Sequence, residues 1–120
     1  MISLKYLGIP LSENAAYRRP KRAYGLILSA RAKEFKADML ANTLEQLPTD
    51  FMLIDNSRVK VDIIVGTADK RRRDISNWLK LLLDVYNGVV YKDDSQIDDL
   101  RVRRIRGDKE FFNVDISIVE

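Results

Sequence analysis

Asp74, Asn77 and Lys80 stand at three-residue steps, and Asp84 follows Lys80 by four. On a helix that spacing strings the side chains along one rough line and lets Lys80 pair with Asp84. Two more carboxylates, Asp93 and Asp94, follow a short apolar stretch. A strand–helix–strand turn can carry them back toward Asp74. Carboxylates gathered from two strand ends make a site for a hard divalent cation. Such an ion activates water and stabilises a phosphate in transfer, while a nearby Lys offsets charge on the leaving oxygen. Lys70, Arg71, Arg72 and Arg73 lie just before Asp74, where their forked donors suit a phosphate backbone. Each residue also has an ordinary reading. Asp74 caps a helix, Lys80 and Asp84 form a surface pair, Asp93–Asp94 is a solvated turn, and Trp78 is core rather than a base-stacking platform.

The composition narrows the chemistry. The 120 residues include no His and no Cys. That excludes Ser-His triads, His bases, thiolate nucleophiles, disulfides and the usual zinc sites. Catalysis is left to Asp, Glu, Lys, Tyr, Ser or a metal held by oxygens, and it calls for no small-molecule cofactor. The net charge is only +3, but it is unevenly spread. Arg18, Arg19, Lys21 and Arg22 form one basic set, residues 70–73 a second, and Arg101, Arg103, Arg104 and Arg106 a third. Concentrated Arg points to a polyanion partner, against the plain alternative of solvated faces.

These residues need a scaffold. At 46% hydrophobic and 32% charged, residues 1–120 suit one globular domain. No apolar run is long enough to span a membrane, and no secretory signal precedes the domain, so a cytoplasmic location is expected. Residues 2–8 alternate as a strand, and residues 9–25 are irregular, punctuated by Pro10, Pro20 and Gly25. Ser29 opens a helix over 29–47, with Ala32, Phe35, Met39, Leu40, Thr43, Leu44 and Leu47 on its apolar face, and Pro48 closes it. Residues 58–66 alternate as a second strand. Ile75, Trp78, Leu79, Leu82, Val85 and Tyr86 trace a second helix, with Asp74 at its start and Gly88 past its end. Residues 89–91 are extended, 93–98 are mostly loop, and two further strands, Leu100–Ile105 and residues 111–119, read as a hairpin around Gly107–Asp108. The expected fold is α+β: one sheet of four to five strands with two helices on one face, in the order β-α-β-α-(β)-β-β.

The run Arg73-Asp74-x-Ser76-Asn77-x-x-Lys80-x-x-x-Asp84, then Gly88, then Asp93-Asp94-x-Gln96, resembles the RusA family of Holliday junction resolvases. The family pattern is R-D-x-D-N-x-x-K-x-x-x-D, a Gly, then D-D-x-Q. Pro10-Leu11-Ser12-Glu13-Asn14 with Tyr17 is similar to the family's P-x-S-x-N region. The resemblance implies a homodimer that binds four-way DNA junctions and nicks them symmetrically with Mg²⁺ in recombination and repair. It implies that Asp74 and Asp94 are catalytic and metal-binding carboxylates, that Lys80 is the functional lysine, and that Asn77, Gln96 and Asp93 support the site. It implies DNA contacts from Arg71, Arg72 and Arg73, with Arg18, Arg19 and Arg22 as a second set. Ser76 is the departure: it stands where the family has a second essential Asp. Asp93 or Asp69 is the candidate to replace that carboxylate.

Three functions remain distinct on this reading. The chain is an Mg²⁺-dependent junction endonuclease, a weakened or inactive junction binder because of Ser76, or an unrelated protein-interaction module. Junction binding separates the third from the others, and Mg²⁺-dependent nicking separates the first from the second.

Overall fold

The computed structural model describes residues 1–13, 17–18 and 27–120, with residues 17–18 and 27–28 described by backbone alone. Strand β1 (Ile2–Leu7) is followed by a small antiparallel ribbon, β2 (Tyr17–Arg18) against β3 (Ile27–Leu28). Helix α1 (Ala30–Gln46) then leads to β4 (Val59–Thr67). A 3₁₀ turn (Ile75–Trp78) runs into helix α2 (Leu79–Val85), and a second 3₁₀ turn (Asp94–Gln96) runs into β5 (Ile97–Arg106), before β6 (Phe111–Ile118).

Four strands form one mixed sheet in the order β1-β6-β4-β5. The fold is the expected α+β arrangement. Val59, Val61, Ile63 and Val65 alternate on β4 and are fully buried, as the period of two on a half-buried strand requires. They register with Ile118, Ile116, Val114 and Phe112 of β6, the last three of which face Ile2, Leu4 and Tyr6 of β1. Met39 of α1, Trp78 of the first turn, and Leu82, Leu83 and Val85 of α2 complete this core, so both helices cover the same sheet face. On the opposite face Lys5, Leu7, Lys60, Arg101, Arg103 and Ile105 are exposed.

α1 has the predicted limits. The Ser29 hydroxyl accepts from the Ala32 N–H at 3.1 Å, and the chain leaves helical geometry at Leu47, one residue before Pro48. Of its expected apolar face, Ala32, Met39 and Thr43 are buried, whereas Leu44 is exposed.

Three expectations are corrected. Residues 111–119 do not form a hairpin with the strand before them. β5 lies parallel to β4 on one side, and β6 lies antiparallel to β4 on the other. The Gly107–Glu110 connection hops over the end of β4, where the Gly107 N–H donates to Thr67 O at 2.9 Å. The most apolar strand thereby gains two neighbours. Residues 89–91 form no strand; Tyr91 makes isolated bridges to Ile54 and Asn87. The acidic 93–98 stretch is a capped turn, and β5 begins within it at Ile97. Within the nominally irregular 9–25, Tyr17–Arg18 is paired. Asn14, Arg19, Pro20, Lys21, Arg22 and Gly25 lie outside the described residues, as do the side chains of Tyr17 and Arg18.

Candidate active site

The loop after β4 carries the second basic set. Asp69 is its hub: its carboxylate accepts from Arg73 at 2.6 Å and lies 3.7 Å from Arg104, and its Oδ1 accepts from the Arg71 N–H at 3.2 Å. The Arg73 hydrogen bond holds the Asp69 carboxyl below its ordinary range. Arg104 also donates through Nε to Thr67 Oγ1 at 2.8 Å, and burial followed by the charge of Arg106 lowers its pKa. The bracing fixes the loop from below, while Arg71 and Arg72 stay exposed. Asp69 is thus committed to arginines.

Asp74 ends that loop and caps the 3₁₀ turn. Its Oδ1 accepts from the Ser76 N–H at 3.2 Å and from the Ser76 hydroxyl at 2.8 Å. Asp74 is thus a cap, as its ordinary reading has it, and Ser76 faces it as a neutral donor. Arg72, Arg73, Asp74, Ile75 and Asn77 line an open groove of about 550 Å³. Cation and carboxylate share its walls, which suits a phosphate group approaching an acid-bound ion.

Lys80 lies in the first turn of α2, exposed. Its backbone N–H donates to Glu13 Oε1 at 3.0 Å, a contact 67 residues away in sequence. Sequence reasoning missed Glu13, although it sits in the Pro10–Asn14 motif. Trp78 is core, 1% exposed.

At the far end of α2, Asp84 meets Asp94. Burial raises the Asp84 pKa first, and the Asp94 charge and a hydrogen bond with Asp94 raise it further, against the charges of Lys36 and Lys80. Lys80 and Asp84 thus interact as their spacing suggests. Burial, then the charges of Asp94, Asp84 and Asp93, also push the Tyr91 hydroxyl up; that hydroxyl donates to Leu83 O at 2.8 Å. The structure therefore brings Asp94 to Asp84. Asp94 lines a groove with Leu83, Ile97, Asp98 and Leu100, separate from the groove at Asp74. The ten residues from Asp74 to Asp84 rise about 15 Å along the turn and helix.

The supporting residues are structural brackets. Asp93 caps the second 3₁₀ turn, and bonds from the Ser95 hydroxyl and N–H hold its carboxyl down. Gln96 Oε1 accepts from the Asp93 N–H at 2.9 Å, and its Nε2 donates to Ile54 O and Ser57 O, both at 3.0 Å. Arg58 donates to Ser95 O and to Asp98, both at 2.6 Å. Asp94 is thus presented by a turn tied on three sides.

The donor set is hard oxygen throughout, which fits Mg²⁺ in kind. Among the described residues, no group of three or more His, Cys, Asp or Glu is placed to hold a metal ion. A cation here would rely on one or two carboxylates, with water and phosphate oxygens filling the remaining positions, as Mg²⁺ accepts. Among the described residues no helix is long and apolar enough to cross a membrane.

An α+β sheet with Lys80 and Asp84 on one helix, Asp74 ahead of it beside an arginine-lined groove and Asp94 at its far end, has the parts of a small nuclease. The family model described as Endodeoxyribonuclease RusA matches residues 9–118. The chain is 36% identical over 105 residues to the crossover junction endodeoxyribonuclease rusA of Enterobacteria phage HK97, which covers 86% of this chain and 81% of that relative. The chain belongs to the endodeoxyribonuclease RusA family.

Proposed function

We propose that this endonuclease binds four-way DNA junctions and resolves them by symmetric nicking with Mg²⁺, in recombination and repair. The phage relative is described by its action on crossover junctions. The observation that most supports the reading is the groove that puts Arg72 and Arg73 beside Asp74. Asp74 serves as the acidic ligand at this groove with the Ser76 hydroxyl as a neutral donor, Asp94 as a second acid at the separate groove beside Asp84, and Asn77, Asp93 and Gln96 as supports. When bound, the cation acidifies water and withdraws charge from the phosphate. Arg71, Arg72 and Arg73 hold the backbone, joined by Arg18, Arg19 and Arg22, and Lys80 offsets charge that develops during cleavage. Resolution needs two nicks and one chain offers one set of acids, so the acting form is a homodimer.

The test is a nicking assay on a synthetic four-way junction with and without Mg²⁺, with light scattering alongside. Paired nicks that require Mg²⁺, from a dimer, are expected. Failure to bind junctions in preference to linear duplex defeats the reading. A second reading is a junction binder with little cleavage. It is favoured by the Ser76 hydroxyl donating to Asp74 at 2.8 Å, which places a donor where a charge would help a cation. Junction binding without nicking selects it.

A further inference from the structure

The contact between Glu13 and Lys80 has a geometric role that neither motif explains alone. The chain winds as a 3₁₀ turn from Ile75 to Trp78 and as an α-helix from Leu79. In the 3₁₀ pattern the Leu79 N–H donates to Ser76 O. A regular α-helix would instead offer Ser76 O to the Lys80 N–H. Here Glu13 takes that N–H at 3.0 Å, and Trp78, at the helix's N-cap, makes no side-chain capping bond. A 3₁₀ turn advances 120° per residue and an α-helix 100°, so four residues of one rather than the other swing the downstream side chains by about 80°. The direction of Lys80 relative to Asp74 therefore depends on where the winding changes.

Glu13 is itself held. Pro10 is buried, Ile9 packs on the main core, and Leu11 packs with Phe35 against the buried pair Ala32 and Leu81. Leu81 is the residue after Lys80, so residues 9–13 also meet the helix by packing right beside the N–H that Glu13 accepts.

We propose that Glu13 is a positioning residue for cleavage: by accepting the Lys80 N–H it fixes the change from 3₁₀ to α winding and so sets the direction of the Lys80 side chain relative to Asp74. The inference rests on the nuclease reading above. It assigns Glu13 a hydrogen-bonding role, not a metal-binding one.

The experiment compares the native chain, Glu13→Ala, Glu13→Gln, Lys80→Ala and Glu13→Ala/Lys80→Ala, all as full chains, on a four-way junction with Mg²⁺. If the native chain nicks poorly, the same set is built on Ser76→Asp. Glu13→Ala is expected to lower the single-turnover rate at saturating junction by about tenfold to a hundredfold, as displacement of a catalytic group by about 1 Å does, with junction Kd unchanged within about threefold. Glu13→Gln keeps an accepting oxygen and is expected to retain most of the rate. The double variant is expected to be no slower than Lys80→Ala, because Glu13 acts through Lys80. Amide hydrogen exchange supplies a readout free of activity: the Lys80 N–H should exchange faster in Glu13→Ala than in the native chain or Glu13→Gln. An unchanged rate in Glu13→Ala, equal losses in Gln and Ala, additive losses in the double variant, or unaltered exchange at Lys80 each overturn the proposal. If neither background nicks junctions, the nuclease reading has failed, and the exchange result still decides whether Glu13 fixes this turn.

Discussion

Asp84 and Asp94 meet at the exit of α2, where burial and the Asp94 charge oppose ionisation of Asp84. Its pKa in the folded chain is raised above the unfolded value of about 3.9. The protonated form is therefore the one the fold favours. The stabilisation is complete below the unfolded pKa and is lost as pH rises through the folded one. Asp84→Asn should therefore melt higher than the native chain at about pH 8, with the gain shrinking toward about pH 4. Circular-dichroism melts across that range check it; a lower Tm for the variant at alkaline pH contradicts it.

Gln96 joins the Asp94 turn to the loop before β4 through Ile54 O and Ser57 O. Gln96→Ala leaves both carbonyls short of a buried donor, at a cost of about 1–3 kcal/mol. Urea denaturation should show that loss. Nicking should fall by more than junction affinity, because the displaced group is Asp94.

Ser76→Asp should increase Mg²⁺-dependent nicking. It replaces a donor to Asp74 with a like charge, so without metal the variant should be less stable, by about 1–3 kcal/mol. Added Mg²⁺ should return the stability in a concentration-dependent way. Thermal melts in EDTA and in Mg²⁺ separate the two effects. Full nicking by the Ser76 form, unchanged by the substitution, would show that another acid already completes the site.

Arg72 is exposed and lines the Asp74 groove. If it neutralises one phosphate, Arg72→Ala should reduce the log–log salt slope of junction binding by about 0.9. A salt titration by fluorescence anisotropy measures the slope. A native affinity indifferent to salt would exclude a phosphate-led interface.

Gly66 is buried opposite Phe111 in the β4–β6 register, and a Cβ there would overlap the Phe111 ring. Gly66→Ala should cost about 1–3 kcal/mol through overpacking. Phe111→Ala in the same chain removes the overlap, so the double variant should lose less than the two single losses combined. Chemical denaturation of the four forms closes the cycle.

The elements most legible in the sequence were those specified by neighbours along the chain. Ser29 and Pro48 bracket α1 because a cap and a breaker act within one turn. Val59 to Val65 announce a strand because alternation is a local property. The β5–β6 relationship was illegible for the same reason. Gly107 and Asp108 signal a turn, but the turn's partner is decided by which strand holds the most apolar side chains, and that is β4. Asp74 and Asn77 are singled out by their spacing and Ser76 by the resemblance, signals carried within one short segment, which in the fold also borders a groove. Glu13 was missed because its partner is a backbone N–H 67 residues away, which no side-chain pattern reveals. Asp84 was seen as a partner of Lys80, while its approach to Asp94 depends on how the second 3₁₀ turn is tied.

The sheet order also bears on how the fold is completed. β6, the last strand in sequence, is an interior strand between β1 and β4. Until β6 pairs, β1 and β4 have no common neighbour. The helix that bears Lys80 can pack on a finished sheet only then. The pairing of β6 is therefore a condition for seating Lys80 at all, although β6 itself carries none of the candidate site residues.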